Sequence, residues 1–213
     1  MERGDDYSTY WEEYYESGAA PEEPSKFARY VRKNYAKKGD LLVELGCGNG
    51  RDARFFARHK LSVIAIDQCA PEIDPRTVED TKHRLRYAEA DFTDLPEAIA
   101  PYDLVYSRFT LHSVSAEGQA RSLAWSARNL VSGGRLCIET RGQKNELYQK
   151  GTPVDGEPDA FIYDDHYRRF VDLGKFVDEI ESNKFKILEA SEDAGYAPFE
   201  DTDYHFIRVI AEK

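Results

Sequence analysis

LLVELGCGNGRD, residues 41–52, begins as a short apolar run and continues into three glycines on alternate positions. The apolar run suits a strand that is buried on both faces, as in a parallel sheet. Gly46, Gly48 and Gly50 allow the backbone to turn tightly and to approach a ligand that a Cβ atom would exclude. An amphipathic pattern with Phe55 and Phe56 follows. The stretch therefore predicts a strand, a glycine turn and a helix.

The composition narrows the class of protein. A chain of 213 residues with 41% hydrophobic content can bury the core of one α/β domain. The net charge of −11 argues against nucleic-acid and anionic-membrane partners, which need a basic face. Three cysteines without CxxC spacing predict neither a disulfide framework nor a zinc site, and they favour a reducing cytoplasm. We also expect no secretion signal and no membrane span, because no apolar run approaches about 18 residues.

Strand and helix patterns alternate along the chain. After residues 41–45, strands are predicted at residues 61–66, 84–88, 103–107, 135–140, 185–190 and 205–211. Besides the helix after the glycine turn, helices are predicted at residues 6–17, 26–35, 116–131 and 173–182. This alternation predicts an α/β, Rossmann-like fold with helices on both faces of a doubly wound, mostly parallel seven-stranded sheet. The paired strands at the C-terminal end suggest that the last one runs antiparallel.

Polar side chains follow the predicted parallel strands at their carboxyl ends. Asp67 ends the second strand, about 20 residues beyond Gly46, as the ribose-binding acid does in a mononucleotide-binding βαβ unit. Asp91 follows the third strand, Ser107 ends the fourth, and Arg108 follows it. Ligands of such sheets bind beyond this edge, so we expect the site there.

The glycine spacing bears on the ligand. A dinucleotide fingerprint needs a third glycine where Arg51 stands, and a phosphate loop needs a G-K-[ST] ending that is absent. The stretch VELGCGNG instead resembles the first motif of the class I S-adenosylmethionine-dependent methyltransferases. YDLVYSRFTLH and GGRLCIE agree with later landmarks of that family, and the resemblance covers about residues 40–141. GCGNGRD, SRFTLH and HYRRF are also similar to small bacterial methyltransferases of the tellurite-resistance type, some of them encoded at polysaccharide loci.

The resemblance implies S-adenosyl-L-methionine as cofactor and S-adenosyl-L-homocysteine as product. Glu44 would orient the amino group, Asp67 would accept from both ribose hydroxyls, and Asp91 would accept from the adenine amine. The residues expected to bind the cofactor are Tyr14, Glu44, Gly46, Cys47, Gly48, Asp67, Gln68, Asp91, Phe92 and Ser107.

Within a single domain, the chain divides into four parts. The boundaries are an N-terminal helical cap at 1–36, a cofactor-binding core at 37–141, an insertion or lid at 142–172 and a C-terminal helix with strands at 173–213. The aromatic side chains of residues 6–17 suit either simple packing on the domain or closure over a ligand.

The methyl acceptor is indicated by basic side chains at the same edge of the sheet. His112 is the best-placed candidate base for a hydroxyl acceptor, and a packing histidine is the alternative. Arg168 and Arg169 are adjacent, so at most one would point at the site. The residues expected to bind substrate are Arg108, Arg141, His166, Arg168 and Arg169.

Cations gathered at a ligand edge, in a chain of net charge −11, predict a small anionic acceptor that carries a phosphate, phosphonate or carboxylate. The alternative is that these arginines pair with Asp164, Asp165 and Asp172 on the surface. We expect methyl transfer, with O-methylation favoured, no metal cluster, and no nucleic-acid or membrane partner. An NAD(P)-dependent oxidoreductase and a non-catalytic cofactor-binding protein are the alternative functions, and the sequence does not predict an oligomeric state.

Overall fold

The computed structural model describes residues 21–69, 81–98 and 100–213. The predicted aromatic helix at residues 6–17, with Tyr14, lies outside them. The helices are α1 (Lys26–Asn34), α2 (Arg51–Arg58), α3 (Ala116–Asn129) and α4 (Leu173–Ser182), with a 3₁₀ turn at Leu111–Ser113. The strands are β1 (Leu41–Leu45), β2 (Ser62–Asp67), β3 (Leu85–Glu89), β4 (Tyr102–Arg108), β5 (Leu130–Thr140), β6 (Thr152–Val154), β7 (Glu157–Tyr163), β8 (His166–Arg169), β9 (Lys186–Asp193) and β10 (Phe206–Glu212).

Seven strands form one sheet in the order β3-β2-β1-β4-β5-β10-β9. Strand β1 lies third in this order, beside the central strand β4, and pairs in parallel with β2 and β4. Strand β10 pairs antiparallel with both β5 and β9. The predicted Rossmann-like class, including the antiparallel last strand, is confirmed.

Successive residues of the central strands face opposite sides of the sheet, and both sides are covered. Val43 and Val105 are fully buried on one side, in a cluster that also contains Phe176 of α4. Leu42 and Leu104 are fully buried on the other side, in the cluster that contains Phe27 and Val31 of α1 and Phe56 of α2. Because both faces are dry, the strands read as continuous apolar runs, and only their ends are free to carry polar groups.

Helix α1 is tied to the helix of the glycine turn by a buried acid. Asp52, in the first turn of α2, accepts from the backbone N–H of Ser25 at 2.7 Å and from its hydroxyl at 2.6 Å. The hydroxyl of Tyr106 in β4 also donates to Asp52, at 2.7 Å. Ser25 is itself the N-cap of α1 and accepts from the N–H of Ala28. The start of α1 is therefore held beside the glycine turn.

The junction of α3 and β5 differs from the prediction. The helix ends at Asn129 and not at residue 131, because Leu130 adopts extended angles and begins the strand at once. The predicted strand began only at residue 135, since Gly133 and Gly134 resemble a helix stop. Gly133 does have a left-handed φ of 78°, but it lies inside the strand that carries the chain to Arg141.

The insertion is built around a second, antiparallel sheet of β6, β7 and β8. Its turn between β7 and β8 contains Asp164 and Asp165, both with left-handed φ. Phe161 and Phe170 form a small separate core with Leu147. The sequence prediction of an insertion contained no strands here. Its role as a lid stays a prediction.

No helix in the described part of the chain is both long enough and apolar enough to cross a membrane.

Candidate active site

The glycine turn presses directly against the segment that follows β4. Gly46 and Gly48 have φ of 71° and 52°, a region that side chains rarely adopt. The N–H groups of Gly46 and Cys47 donate to the carbonyl of Ile66 at 2.8 and 2.9 Å, which closes the turn onto β2. A Cβ atom at Gly46 would lie 2.0 Å from Cγ2 of Thr110. The turn therefore requires glycine both for its backbone angles and for space.

A cavity of about 950 Å³ opens beyond the carboxyl ends of the parallel strands. Thirteen of the sixteen predicted site residues line it: Glu44, Gly46, Cys47, Gly48, Asp67, Gln68, Asp91, Phe92, Arg108, His112, Arg141, His166 and Arg168. Ser107 and Arg169 do not line it, and Tyr14 lies outside the described residues.

Asp67 joins the end of β2 to the glycine turn. Its Oδ2 accepts from the N–H of Gly48 at 2.7 Å and its Oδ1 accepts from the N–H of Cys69 at 3.1 Å. Burial raises the pKa of Asp67, and these backbone hydrogen bonds oppose the rise. Each carboxylate oxygen has a second lone pair, so the acid can still accept from two hydroxyls of a ligand.

Glu44, the penultimate residue of β1, is a buried acid on the cavity wall. It is only 3% exposed, and its Oε2 has no hydrogen-bond partner in the described structure. Burial, and then the charges of Asp52 and Asp67, raise the pKa of Glu44 well above its usual value. Leaving a buried oxygen unsatisfied costs free energy, which a cationic or amine ligand would recover.

Asp91 and Phe92 extend this acidic end of the cavity. Oδ1 of Asp91 accepts from both the N–H and the hydroxyl of Thr93 at 2.7 Å, which fixes the turn after β3. Phe92 is buried, and its ring lies 3.7 Å from the position of a Cβ at Gly46. Gln68 is exposed at the rim. Acids and an apolar ring therefore surround the glycine turn.

Arg108 lies at the end of β4, the strand beside β1, and is largely neutralised. Its Nε donates to Oε1 of Glu139 at 2.9 Å, and its guanidinium lies 3.9 Å from the ring centroid of Phe109. Burial lowers the pKa of Arg108, but the neighbouring Glu139 carboxylate outweighs burial, and the net pKa is raised. The carboxylate of Glu139 also accepts from Arg208.

Arg141, just beyond β5, is less well compensated. Its Nη1 donates to Oδ1 of Asn145 at 3.1 Å, while its Nε is buried without a hydrogen-bond partner among the described residues. Burial first, and then the charges of Arg168 and Arg108, lower the pKa of Arg141 to about 10. It stays charged at neutral pH, so it can bind an anion that enters the cavity.

Two histidines lie beside these arginines. His112 is 3% exposed and His166 is 2% exposed. Burial, with Arg141, His166 and the arginines of β8, holds the pKa of His112 well below its usual value. Burial, with Arg168 and Arg141, lowers the pKa of His166 to about 3. Both imidazoles are therefore neutral at pH 7, and the positive charge at this end comes from the guanidinium groups.

Two predicted ligand contacts are replaced by internal ones. Ser107 is buried and forms a hydrogen bond with the hydroxyl of Thr110, because its side chain turns into the loop that packs on Gly46. Arg169 donates to the carbonyls of Leu111 and Val114 and to the side chain of Gln119. Neighbours on a strand face opposite sides, so Arg168 lines the cavity and Arg169 does not.

Several cavity residues were absent from the sequence prediction. Phe109, Thr110, Tyr204 and Phe206 also line the wall. Phe109 has a left-handed φ of 60° and packs on Phe206 at 4.6 Å between ring centroids. The charge of Glu139 within the apolar strand RLCIET was the one available sequence signal, and it indicated a cationic partner near the site, because a buried acid usually has one. No group of three or more potential ligands in the described part of the chain could hold a metal ion.

Comparisons with known proteins agree with this geometry. Residues 42–134 match the family model described as "Methyltransferase domain". The 1,6-didemethyltoxoflavin-N1-methyltransferase of Burkholderia thailandensis, solved with 1,6-didemethyltoxoflavin and S-adenosylhomocysteine, superposes with a TM-score of 0.76 at 16% identity, over 100% of this chain and 91% of that chain. A TehB-like SAM-dependent methyltransferase of Corynebacterium glutamicum gives a TM-score of 0.60 at 19% identity, over 98% and 97% of the two chains.

A curated relative is the 27-O-demethylrifamycin SV methyltransferase of Amycolatopsis mediterranei, 29% identical over 107 residues. The match covers 48% of this chain and 39% of the relative, so the chain spans about two fifths of that protein's length. Residues 42–134 thus match a methyltransferase family model, and the chain shares its fold with solved S-adenosylmethionine-dependent methyltransferases.

Proposed function

We propose that this protein transfers a methyl group from S-adenosyl-L-methionine to a small anionic acceptor, with oxygen as the favoured methyl-accepting atom. The observation that carries the proposal is the charge distribution of the cavity. Glu44, Asp67 and Asp91 line the cavity beside the glycine turn, and Arg141 and Arg168 line it close to each other and to His112. A single cavity of about 950 Å³ is large enough to hold two ligands side by side.

The acidic end suits the cofactor. Glu44 has an unsatisfied buried oxygen for the amino group, and Asp67 has the lone pairs for two ribose hydroxyls. Asp91, Phe92 and Gln68 would hold the adenine, and the backbone from Gly46 to Gly48 would face the methionine portion. The S-adenosylhomocysteine in the Burkholderia structure supports the same ligand here.

The basic end suits the acceptor. Arg141 stays charged, and its buried Nε lacks a partner among the described residues. We assign it the principal contact with a phosphate, phosphonate or carboxylate, assisted by Arg168, His166 and Arg108. The curated Amycolatopsis relative is named for an O-demethylated substrate, which supports oxygen as the methylated atom.

When bound, S-adenosyl-L-methionine supplies a methyl group that is already activated on its sulfonium. The residues of this chain then have to align the acceptor and keep water away from the reaction. S-adenosyl-L-methionine held there would donate its methyl group to the acceptor oxygen, and S-adenosyl-L-homocysteine would be the leaving group. His112 is neutral at pH 7 and can take the hydroxyl proton for later release to solvent.

A methyl-transfer screen tests the proposal. Phosphorylated and carboxylated metabolites and sugars are each paired with an uncharged analogue, and S-adenosylhomocysteine formation and product mass are both measured. We expect turnover of charged members only. Equal turnover of the uncharged analogues would contradict an anionic acceptor. Thermal protection by NADH, with none by S-adenosylmethionine, would favour an oxidoreductase, and cofactor binding without turnover would favour a non-catalytic protein.

The variant Arg141→Ala locates the acceptor end. It is expected to raise the KM for the acceptor about 10-fold or more, because a charge-assisted hydrogen bond is lost. Its affinity for S-adenosylhomocysteine, measured by calorimetry, should not change. Arg128 lies on the surface in an ion pair with Glu97, so Arg128→Ala is the matched control and should leave both constants unchanged.

A further inference from the structure

Arg169, the last residue of β8, is a buried arginine that does not line the cavity. It is 8% exposed. Its Nε donates to the carbonyl of Val114 at 3.0 Å and its Nη2 to the carbonyl of Leu111 at 3.3 Å. These two carbonyls belong to the first residue of the 3₁₀ turn that carries His112 and to the residue that follows the turn. One guanidinium therefore grips the turn on both sides of the histidine.

The placement of the His112 ring depends on this turn. Its Nδ1 is buried and has no hydrogen-bond partner among the described residues. Its ring meets Phe109 edge to face at 5.9 Å between centroids, a contact that permits sliding more readily than a hydrogen bond does. The backbone from Leu111 to Val114 consequently sets where the imidazole lies.

Side chains from two helices hold the Arg169 guanidinium in place. Its Nη2 also donates to Oε1 of Gln119 in α3 at 2.6 Å. The amide nitrogen of Gln119 donates in turn to Oε2 of Glu179 in α4 at 2.6 Å. Glutamine can accept at one end and donate at the other, which neither glutamate nor leucine can do. This relay gives the buried guanidinium an indirect acidic partner and fixes its orientation.

We infer that Arg169 is a positioning residue for His112. It fixes the position of the histidine relative to the acceptor-binding side chains of β8, the strand to which Arg169 belongs. His166 and Arg168 of β8 line the cavity, while Arg169 faces the turn. The same four-residue strand thus carries the side chains that bind the acceptor and the arginine that positions the base. The inference rests on the proposed function, since it assigns Arg169 an effect on the base of that reaction.

A double-mutant cycle tests the inference. Arg169→Lys keeps the charge but loses the fork that reaches both carbonyls. We expect it to lower kcat about 10-fold or more, because small displacements of a reacting group are costly, with little change in the acceptor KM or in the Kd of S-adenosylhomocysteine. In a His112→Ala background the same change should alter kcat by less than about 2-fold, because the group that it positions is gone. An equal loss in both backgrounds would overturn the inference.

A second variant and a second readout cover poor folding and absent turnover. Gln119→Leu removes the brace but leaves Arg169 in place, and it should lower kcat in the same His112-dependent way. Histidine-ring NMR signals assigned by His112→Ala should move in both variants and stay fixed in the surface control Arg128→Lys. If the wild type transfers no methyl group, the proposed function fails, while the NMR result still decides the positioning. Unmoved His112 signals would overturn it.

Discussion

Nε of Arg108 lies 2.9 Å from Oε1 of Glu139, whose side chain has no exposed surface. The other oxygen, Oε2, accepts from Nε of Arg208 at 2.5 Å. Glu139 belongs to β5, which β4 and β10 flank on either side. One fully buried acid in β5 therefore pairs with two guanidinium groups from the neighbouring strands, at the point where the sheet borders the cavity.

Glu139→Gln is expected to destabilise the fold strongly. Two desolvated guanidinium groups would lose their counter-charge, and breaking a buried pair in this way costs about 3–5 kcal/mol. The free energy of unfolding in urea measures the loss. Glu212→Gln is the control, because Glu212 and Arg135 pair at 2.8 Å across the same two strands, β5 and β10, but remain partly exposed. That change should cost about 1 kcal/mol or less, and similar losses in the two variants would contradict the prediction.

Gly46→Ala should damage both stability and cofactor binding. The new Cβ would meet Cγ2 of Thr110 at 2.0 Å, in addition to the strain of a left-handed φ. Gly39→Ala is the control, because Gly39 also has positive φ but has open space around it, so only the strain of about 1–2 kcal/mol applies. Unfolding and S-adenosylhomocysteine calorimetry compare the two. Adding Thr110→Ser removes Cγ2 and should recover part of the loss, and an absence of recovery would locate the damage elsewhere.

Binding of S-adenosylhomocysteine should release protons at a pH above the usual glutamate range, and Glu44 should be their source. Burial raises the pKa of Glu44, so the free protein holds its proton at a pH where an exposed glutamate would not. An ammonium group beside the carboxylate favours ionisation and lowers that pKa, so the proton leaves on binding. Calorimetry in buffers of different ionisation enthalpy measures the release.

Glu44→Gln should abolish that release and weaken binding, whereas Glu117→Gln, on the exposed face of α3, should change neither. Proton release that persists in Glu44→Gln would assign the titration to another group.

The acidic limb of the pH–rate profile should lie at low pH, and its position should depend on Arg141. Burial and the neighbouring arginines lower the pKa of His112, so the base stays neutral as the pH falls through the usual histidine range near 6.5. We expect kcat to stay level there and to fall only at lower pH. Arg141→Ala removes a positive charge, which raises the pKa of His112 and moves the limb to higher pH. A limb that does not move in this variant would exclude His112 as the titrating base.

The parts of the molecule that the sequence predicted are those with local signals. The apolar run of β1, the glycines after it and the acids that end β2 and β3 all lie within short stretches of chain, and a parallel sheet brings its strand ends together. Asp67 and Asp91 could therefore be placed at one edge without coordinates. Arg108 and Arg141 were grouped for the same reason.

The remaining contacts depend on pairings that no local pattern reveals. Arg169 was expected in the site, but its side chain contacts the turn after β4. Its direction is decided by the β7–β8 hairpin, and no pattern in the Gly- and Pro-rich insertion predicted those strands. Ser107 lies near the end of a buried strand, as a ligand contact would, but its contact with Thr110 is revealed only by the folded loop, which packs on Gly46. Glu139 and Arg208 meet across strands that lie far apart in the chain.

Strand β10 runs against its neighbours, so its first residues reach the same rim as the carboxyl ends of the parallel strands. Phe206 consequently joins side chains of the insertion on the wall that we assign to the acceptor. That wall is encoded mostly after residue 140, and the wall that we assign to the cofactor is encoded before residue 93. The two ligand preferences can thus be inherited as separate modules, so a chimera that exchanges the chain after β5 with that of a relative should acquire a new acceptor and keep its methyl donor.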